Sequence, residues 1–188
     1  MTKKYNSVLI IGMGLIGSSI SRALVENHVA NSVYGLDTND KIIKKCHDLN
    51  LLVKGETNLK NFDLQFDLVI ICTPLSAYKN IFSCLSDFIS EPTLITDVGS
   101  TKMSTISDFK NAVTNNNITF VPSHPIAGLE KSGPEYGFSK LFDNRYCILT
   151  PFETNAAATS SISEMWKSVG MTVEFMEADR HDRGLAMT

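Results

Sequence analysis

The chain has 188 residues, with 17 Lys and Arg against 20 Asp and Glu, for a formal net charge of -3. Hydrophobic residues make up 43% and charged residues 20%. This excludes a disordered chain, and the mild acidity leaves no electrostatic footprint for nucleic acid. One domain of about 100–200 residues accounts for the length and buries a core without staples.

The N-terminus imitates a secretory signal: Lys3 and Lys4, then Val8 to Ile11, then Ser18 and Ser19. Glycines at 12, 14 and 17 interrupt the apolar stretch, and cleavage there would destroy the first strand. With no apolar run of about 20 residues, no membrane span is expected. Residues 5–11 read as a strand buried on both faces. Residues 15–27 carry apolar positions at Ile16, Ile20, Ala23 and Leu24, which is helical spacing. A strand over 32–36 and a helix over 39–49, opened by Asn39, follow. Further strands are predicted at 67–72, 93–98 and 118–121, with helices over 76–89 and 101–113 between them. Residues 123–144 are rich in Gly, Pro, Ser and charge and read as a long irregular segment. Then come a strand at 146–149, a helix over 155–168, a strand at 172–175 and a new helix from Asp179. This alternation predicts an α/β fold, a Rossmann-type doubly wound sheet, mostly parallel, with helices on both faces. The last helix is barely two turns long before Thr188, too short to be stable alone, so a following domain is expected.

Cys46, Cys72, Cys84 and Cys147 are widely spaced and form no C-x-x-C pair. Buried reduced thiols are expected, with neither a disulfide frame nor a metal site, in a reducing cytoplasm.

Four segments carry chemistry. Gly12-Met13-Gly14-Leu15-Ile16-Gly17 lies after a strand and at the mouth of a helix. Its first glycine serves the tight turn, its second the close approach of a pyrophosphate, its third helix–strand packing. The start of the helix, at Leu15 and Ile16, offers unpaired N–H groups to phosphate. Asp37, twenty positions after Gly17, suits the ribose hydroxyls of adenosine and would repel a 2′-phosphate. NAD is therefore favoured; NADP stays open, because Lys41 and Lys44 are near enough in sequence to reach such a phosphate. Second, Thr73 and Pro74 end a strand and line the expected cofactor crevice, unless Pro74 merely stops the strand. Third, Asp97-Val98-Gly99-Ser100-Thr101-Lys102 ends another strand. Ser100 and Lys102 are candidates for the nicotinamide or an anionic substrate, although Ser100 also suits a helix N-cap. Fourth, His124 stands beside Pro125, which restricts its backbone. It suits proton acceptance as an alcohol is oxidised. His28, His47 and His181 have polar neighbours and read as surface residues.

These segments, with His124-Pro125-Ile126-Ala127-Gly128, Glu130-Lys131-Ser132-Gly133 and Leu149-Thr150-Pro151, occur in one order. Together they resemble the N-terminal nucleotide-binding domain of the prephenate dehydrogenase family. The resemblance implies NAD-dependent oxidative decarboxylation of prephenate to 4-hydroxyphenylpyruvate in tyrosine biosynthesis. It implies that His124 bonds the substrate's ring hydroxyl and that Ser100 orients that histidine and the nicotinamide. Lys102, Gly128, Glu130 and Ser132 become candidate substrate contacts. It also implies a division into a cofactor domain over 1–178 and the start of a linking helix over 179–188. The family's helical domain, which carries the homodimer interface and further substrate contacts, is absent. Arogenate dehydrogenase and a non-catalytic nucleotide-binding regulatory module are the competing readings.

Overall fold

The computed structural model describes residues 5–153 and 155–185. Lys3, Lys4 and residues 186–188 lie outside the described residues. Six strands form one parallel sheet: β1 (Tyr5–Ile11), β2 (Ala30–Leu36), β3 (Lys54–Glu56), β4 (Leu68–Ile71), β5 (Thr93–Asp97) and β6 (Ile118–Phe120). Their spatial order is β3-β2-β1-β4-β5-β6. The chain starts at β1, winds outward to β3, and then crosses back to β4 on the other side of β1. The order thus reverses between β1 and β4, where a doubly wound sheet opens its ligand crevice. The Rossmann-type expectation holds. The strand β3 escaped the sequence reading because Lys54, Gly55 and Glu56 carry no hydrophobic pattern.

The central strands are apolar on both faces because helices cover both. Val8, Ile10, Leu68 and Ile70 pack with helix α1 (Leu15–Glu26) and with Ile162, Met165 and Trp166 of α5 (Ala156–Ser168). Leu9, Ile11, Val69 and Ile71 point the other way. They meet Phe82 of α3 (Tyr78–Phe88) and Phe109 of α4 (Met103–Ala112). Helix α2 (Asp40–Asp48) covers the β2–β3 edge and starts as expected at Asn39, whose side chain accepts the Lys41 N–H.

Residues 123–144 are more regular than expected. Ser123–Pro125 forms strand β7, antiparallel to β8 (Tyr146–Leu149), which in turn pairs parallel with β9 (Thr172–Phe175). This second, three-stranded sheet was not foreseen. Two 3-10 turns, Pro134–Tyr136 and Ser139–Phe142, lie over α1. Buried serines on α1 accommodate them: Ser19 accepts the Phe138 N–H and donates to the Leu15 carbonyl. A last helix, α6 (Ala178–Leu185), packs against α4. Cys46 and Cys147 are buried as expected, Cys72 is partly covered, and Cys84 is exposed on α3. Among the described residues, no helix is long and apolar enough to cross a membrane.

Candidate active site

The glycine turn between β1 and α1 is built as its spacing implies. Gly12 has φ +93°, and a Cβ there would lie 2.8 Å from the Cys72 carbonyl carbon and oxygen. A Cβ on Gly17 would collide with the Gly12 carbonyl oxygen. Gly14 differs: a Cβ would meet nothing within 4 Å. It is the N-cap of α1 and offers no side chain, so the first N–H groups of the helix and its positive end stay available to an anion. Leu15 is buried and Ile16 packs against the core, so these two residues can offer a cofactor only backbone N–H groups.

Gly12, Gly14, Asp37, Thr73 and Pro74 line one cleft of about 540 Å³. The Asp37 carboxylate accepts the Met13 N–H (2.9 Å) and the Asn39 N–H (2.9 Å), which fixes it at the carboxyl end of β2. Thr73 Oγ1 is buried there without a hydrogen-bond partner. A buried hydroxyl in that state calls for a ligand or solvent partner. The cleft therefore fits a dinucleotide: N–H groups for phosphate, a carboxylate for ribose, an orphan hydroxyl between. Lys41 and Lys44 are exposed on α2 and do not line it. Replacing Gly14 with Ala should leave the urea midpoint nearly unchanged and weaken NAD+ binding in calorimetry. Gly17→Ala should lower the midpoint itself.

A second cleft of about 580 Å³ is lined by Ser100, His124, Gly128, Arg145, Asp182 and Leu185, among others. Next to Ser100, the turn at Gly99 packs against the segment that follows Pro74 of the first cleft. A Cβ on Gly99 would lie 2.7 Å from Leu75 Cδ2 and 3.0 Å from the Tyr78 hydroxyl, so this turn rests on the segment after Pro74. Ser100 is exposed and is not the N-cap of α4. That helix begins at Met103, and the Asp182 carboxylate from α6 accepts the Lys102 N–H (2.8 Å) and the Met103 N–H (2.9 Å).

Lys102 departs from the expectation of a substrate contact. Its side chain is fully buried, and Nζ donates to Asp97 (2.6 Å) and to the Ser123 carbonyl (2.7 Å). Burial pushes the Lys102 pKa down, and Asp97 opposes that shift. Asp97 also accepts the Gly99 N–H (2.9 Å) and the Ser123 N–H (3.0 Å). Ser123 Oγ donates to the Asp97 carbonyl (2.5 Å) and accepts the Trp166 indole N–H (3.1 Å). The pair thus clamps the end of β5 to the start of β7, one residue before His124.

His124 sits inside β7, opposite Ile148. Its Nδ1 lies 3.0 Å from Nε2 of His181. His181 is 1% exposed, which overturns its reading as a surface residue. The local sequence around it, Asp-Arg-His-Asp-Arg, is charged throughout, and only the fold brings it 57 positions back to His124. Its Nδ1 lies 2.8 Å from Asp182. Burial foremost, then Lys102 and His181, hold the His124 pKa down at about 4, with Asp182 opposing. The ring is therefore neutral at pH 7 and able to take a proton. His28 and His47 are exposed, as expected.

Of the other candidate substrate residues, Gly128 lines the His124 cleft, whereas Glu130 and Ser132 are exposed on the following loop and do not. Arg145 was missed. It precedes β8 with no motif to mark it, and reaches the cleft through the β7–β8 pairing. It places a cationic side chain on the lining of this cleft, which Lys102 does not reach.

The family model for the nucleotide-binding domain of prephenate dehydrogenase matches residues 20–175. A cyclohexadienyl dehydrogenase of Zymomonas mobilis is 34% identical over 98% of this chain and 62% of its own length. A prephenate dehydrogenase of Bacillus subtilis is 30% identical over 97% of this chain and 49% of its own. The crystal structure of prephenate dehydrogenase from A. aeolicus, in complex with hydroxyphenyl propionate and NAD+, superimposes with a TM-score of 0.89 at 34% identity. The match covers 96% of this chain and 63% of that one. The chain spans about half to two thirds of the length of these relatives. Its glycine turn, its strand order and this match over most of its residues make it a member of the prephenate dehydrogenase family, as that family's nucleotide-binding domain.

Proposed function

We propose that the chain binds NAD across the β1–β4 switch point and serves the oxidative decarboxylation of prephenate. The observation that carries this reading is how the two clefts are linked: Ser100 lines the His124 cleft, and Gly99 next to it packs against Leu75 and Tyr78, just beyond Thr73 and Pro74 of the dinucleotide cleft. NAD, when bound, supplies the hydride acceptor. The first N–H groups of α1, at Gly14, Leu15 and Ile16, face its pyrophosphate, Asp37 its adenosine ribose, and Thr73 and Pro74 its path toward Ser100. Asp37 disfavours NADP by charge repulsion.

His124 accepts the proton of the substrate's ring hydroxyl, and Ser100 orients the ring pair. Arg145 and Gly128 hold the substrate end of the cleft, with the guanidinium facing a carboxylate. Glu130 and Ser132 would contribute only if their loop folded over a bound substrate. Residues 1–178 form the cofactor domain, and α6 leads toward the segment that completes the substrate site and a homodimer. The four unpaired cysteines suit a reducing cytoplasm. Calorimetry with NAD+ and NADP+, followed by NADH absorbance on adding prephenate, tests the reading. Tighter binding of NAD+ and NADH formation by the protein carrying its whole coding sequence are expected. Absence of dinucleotide binding would refute it.

A further inference from the structure

Asp182, His181 and His124 form one chain of contacts that decides where the protons sit. Asp182 is held by two backbone N–H groups at the start of α4. Burial alone would raise its pKa, but those N–H groups and His181 lower it on balance. The group is an ionised carboxylate and can only accept. His181 Nδ1, 2.8 Å away, must therefore donate. In a neutral imidazole the other nitrogen is then a bare acceptor. That nitrogen, Nε2, faces His124 Nδ1 at 3.0 Å, with the rings edge to face at 70°. His124 Nδ1 must carry the hydrogen, and its own Nε2 is left with the lone pair.

We infer that His181 and Asp182 are positioning residues that lock His124 as its Nδ1–H tautomer, so that Nε2 is the nitrogen that takes the substrate's proton. Free imidazole side chains prefer the opposite tautomer, which would present an N–H to the hydroxyl instead of an acceptor. The purpose of the lone pair rests on the proposed oxidation; the tautomer itself does not. Because α6 holds both residues, docking of α6 on α4 prepares the base as well as capping the helix.

Nitrogen-15 NMR of the histidine side chains in the 188-residue chain reads this directly, without substrate or coenzyme. At pH 7.5, His124 is expected to show a protonated Nδ1 and a bare Nε2. His181→Gln should keep that pattern, since a carboxamide oxygen can still accept from His124 Nδ1. His181→Leu should shift His124 mainly to the Nε2–H form. A wild-type spectrum with His124 protonated on Nε2, or with a doubly protonated His181, would overturn the inference. So would an unchanged His124 tautomer in His181→Leu. Should the leucine variant fail to fold, the wild-type spectrum and the glutamine variant still decide it. Failure of prephenate oxidation with the tautomer as stated would count against the proposed reaction and not against the lock.

Discussion

For the proposed prephenate oxidation, His124→Asn is expected to lower kcat by about 10²–10⁴-fold, the usual contribution of a positioned general base. The dissociation constant for NAD+ should stay within a factor of two or so, because His124 does not line the dinucleotide cleft. That split separates a base from a structural histidine, which would move both. The wild-type pH profile carries a second signature. In the proposed role His124 must be neutral to act, and burial lowers its pKa to about 4 from an ordinary 6.5. Activity on this group's account therefore stays high from neutral pH downward through 6.5 and is lost only as the pH falls toward 4. The same shift makes the folded state bind fewer protons than the unfolded one between those values. Stability is thus full above about 6.5 and falls with acid across that window. An acidic limb at 6.5 or above in the rate profile would show that His124 is not held neutral by its burial.

The second large effect is on stability. Lys102→Met should destabilise the chain by about 3–5 kcal/mol, the cost of leaving a buried partner charge uncompensated. Lys102 and Asp97 are both fully buried, and the methionine would fill the space without neutralising the carboxylate. Asp97→Asn added to that variant should recover part of the loss, because the charge is then gone. Urea unfolding measures both. A loss within about 0–1 kcal/mol, as for a solvated surface pair, would mean the pair does not hold β5 to β7 as described.

The sheet was legible because its signals are local. Apolar runs at Val8–Ile11 and Leu68–Ile71 declare strands covered on both faces, and the three glycines at fixed offsets declare the turn between β1 and α1. Candidate cofactor positions near strand ends were legible for the same reason: Gly12 follows β1 directly, Thr73 comes two positions after β4 and Ser100 three after β5. The substrate side was not. His181 is buried by a partner 57 residues away, and Arg145 enters the cleft through strand pairing. Lys102 looked available because a lysine at a strand end is normally solvated. Only the Asp97 carboxylate and the Ser123 carbonyl, converging on it from two strands, make its burial tolerable. Of the small sheet, β8 and β9 were read as strands from their sequence, whereas β7 was missed because Ser-His-Pro has no hydrophobic alternation, and with it the separate sheet.

A structure of the chain with NAD+ bound tests the central claim most directly. The account predicts the pyrophosphate over Gly14, the adenosine ribose on Asp37, Thr73 Oγ1 bonded to the coenzyme, and the nicotinamide beside Ser100 with His124 across the cleft. A nicotinamide directed toward β3, or a pyrophosphate seated away from the N-terminus of α1, would contradict it.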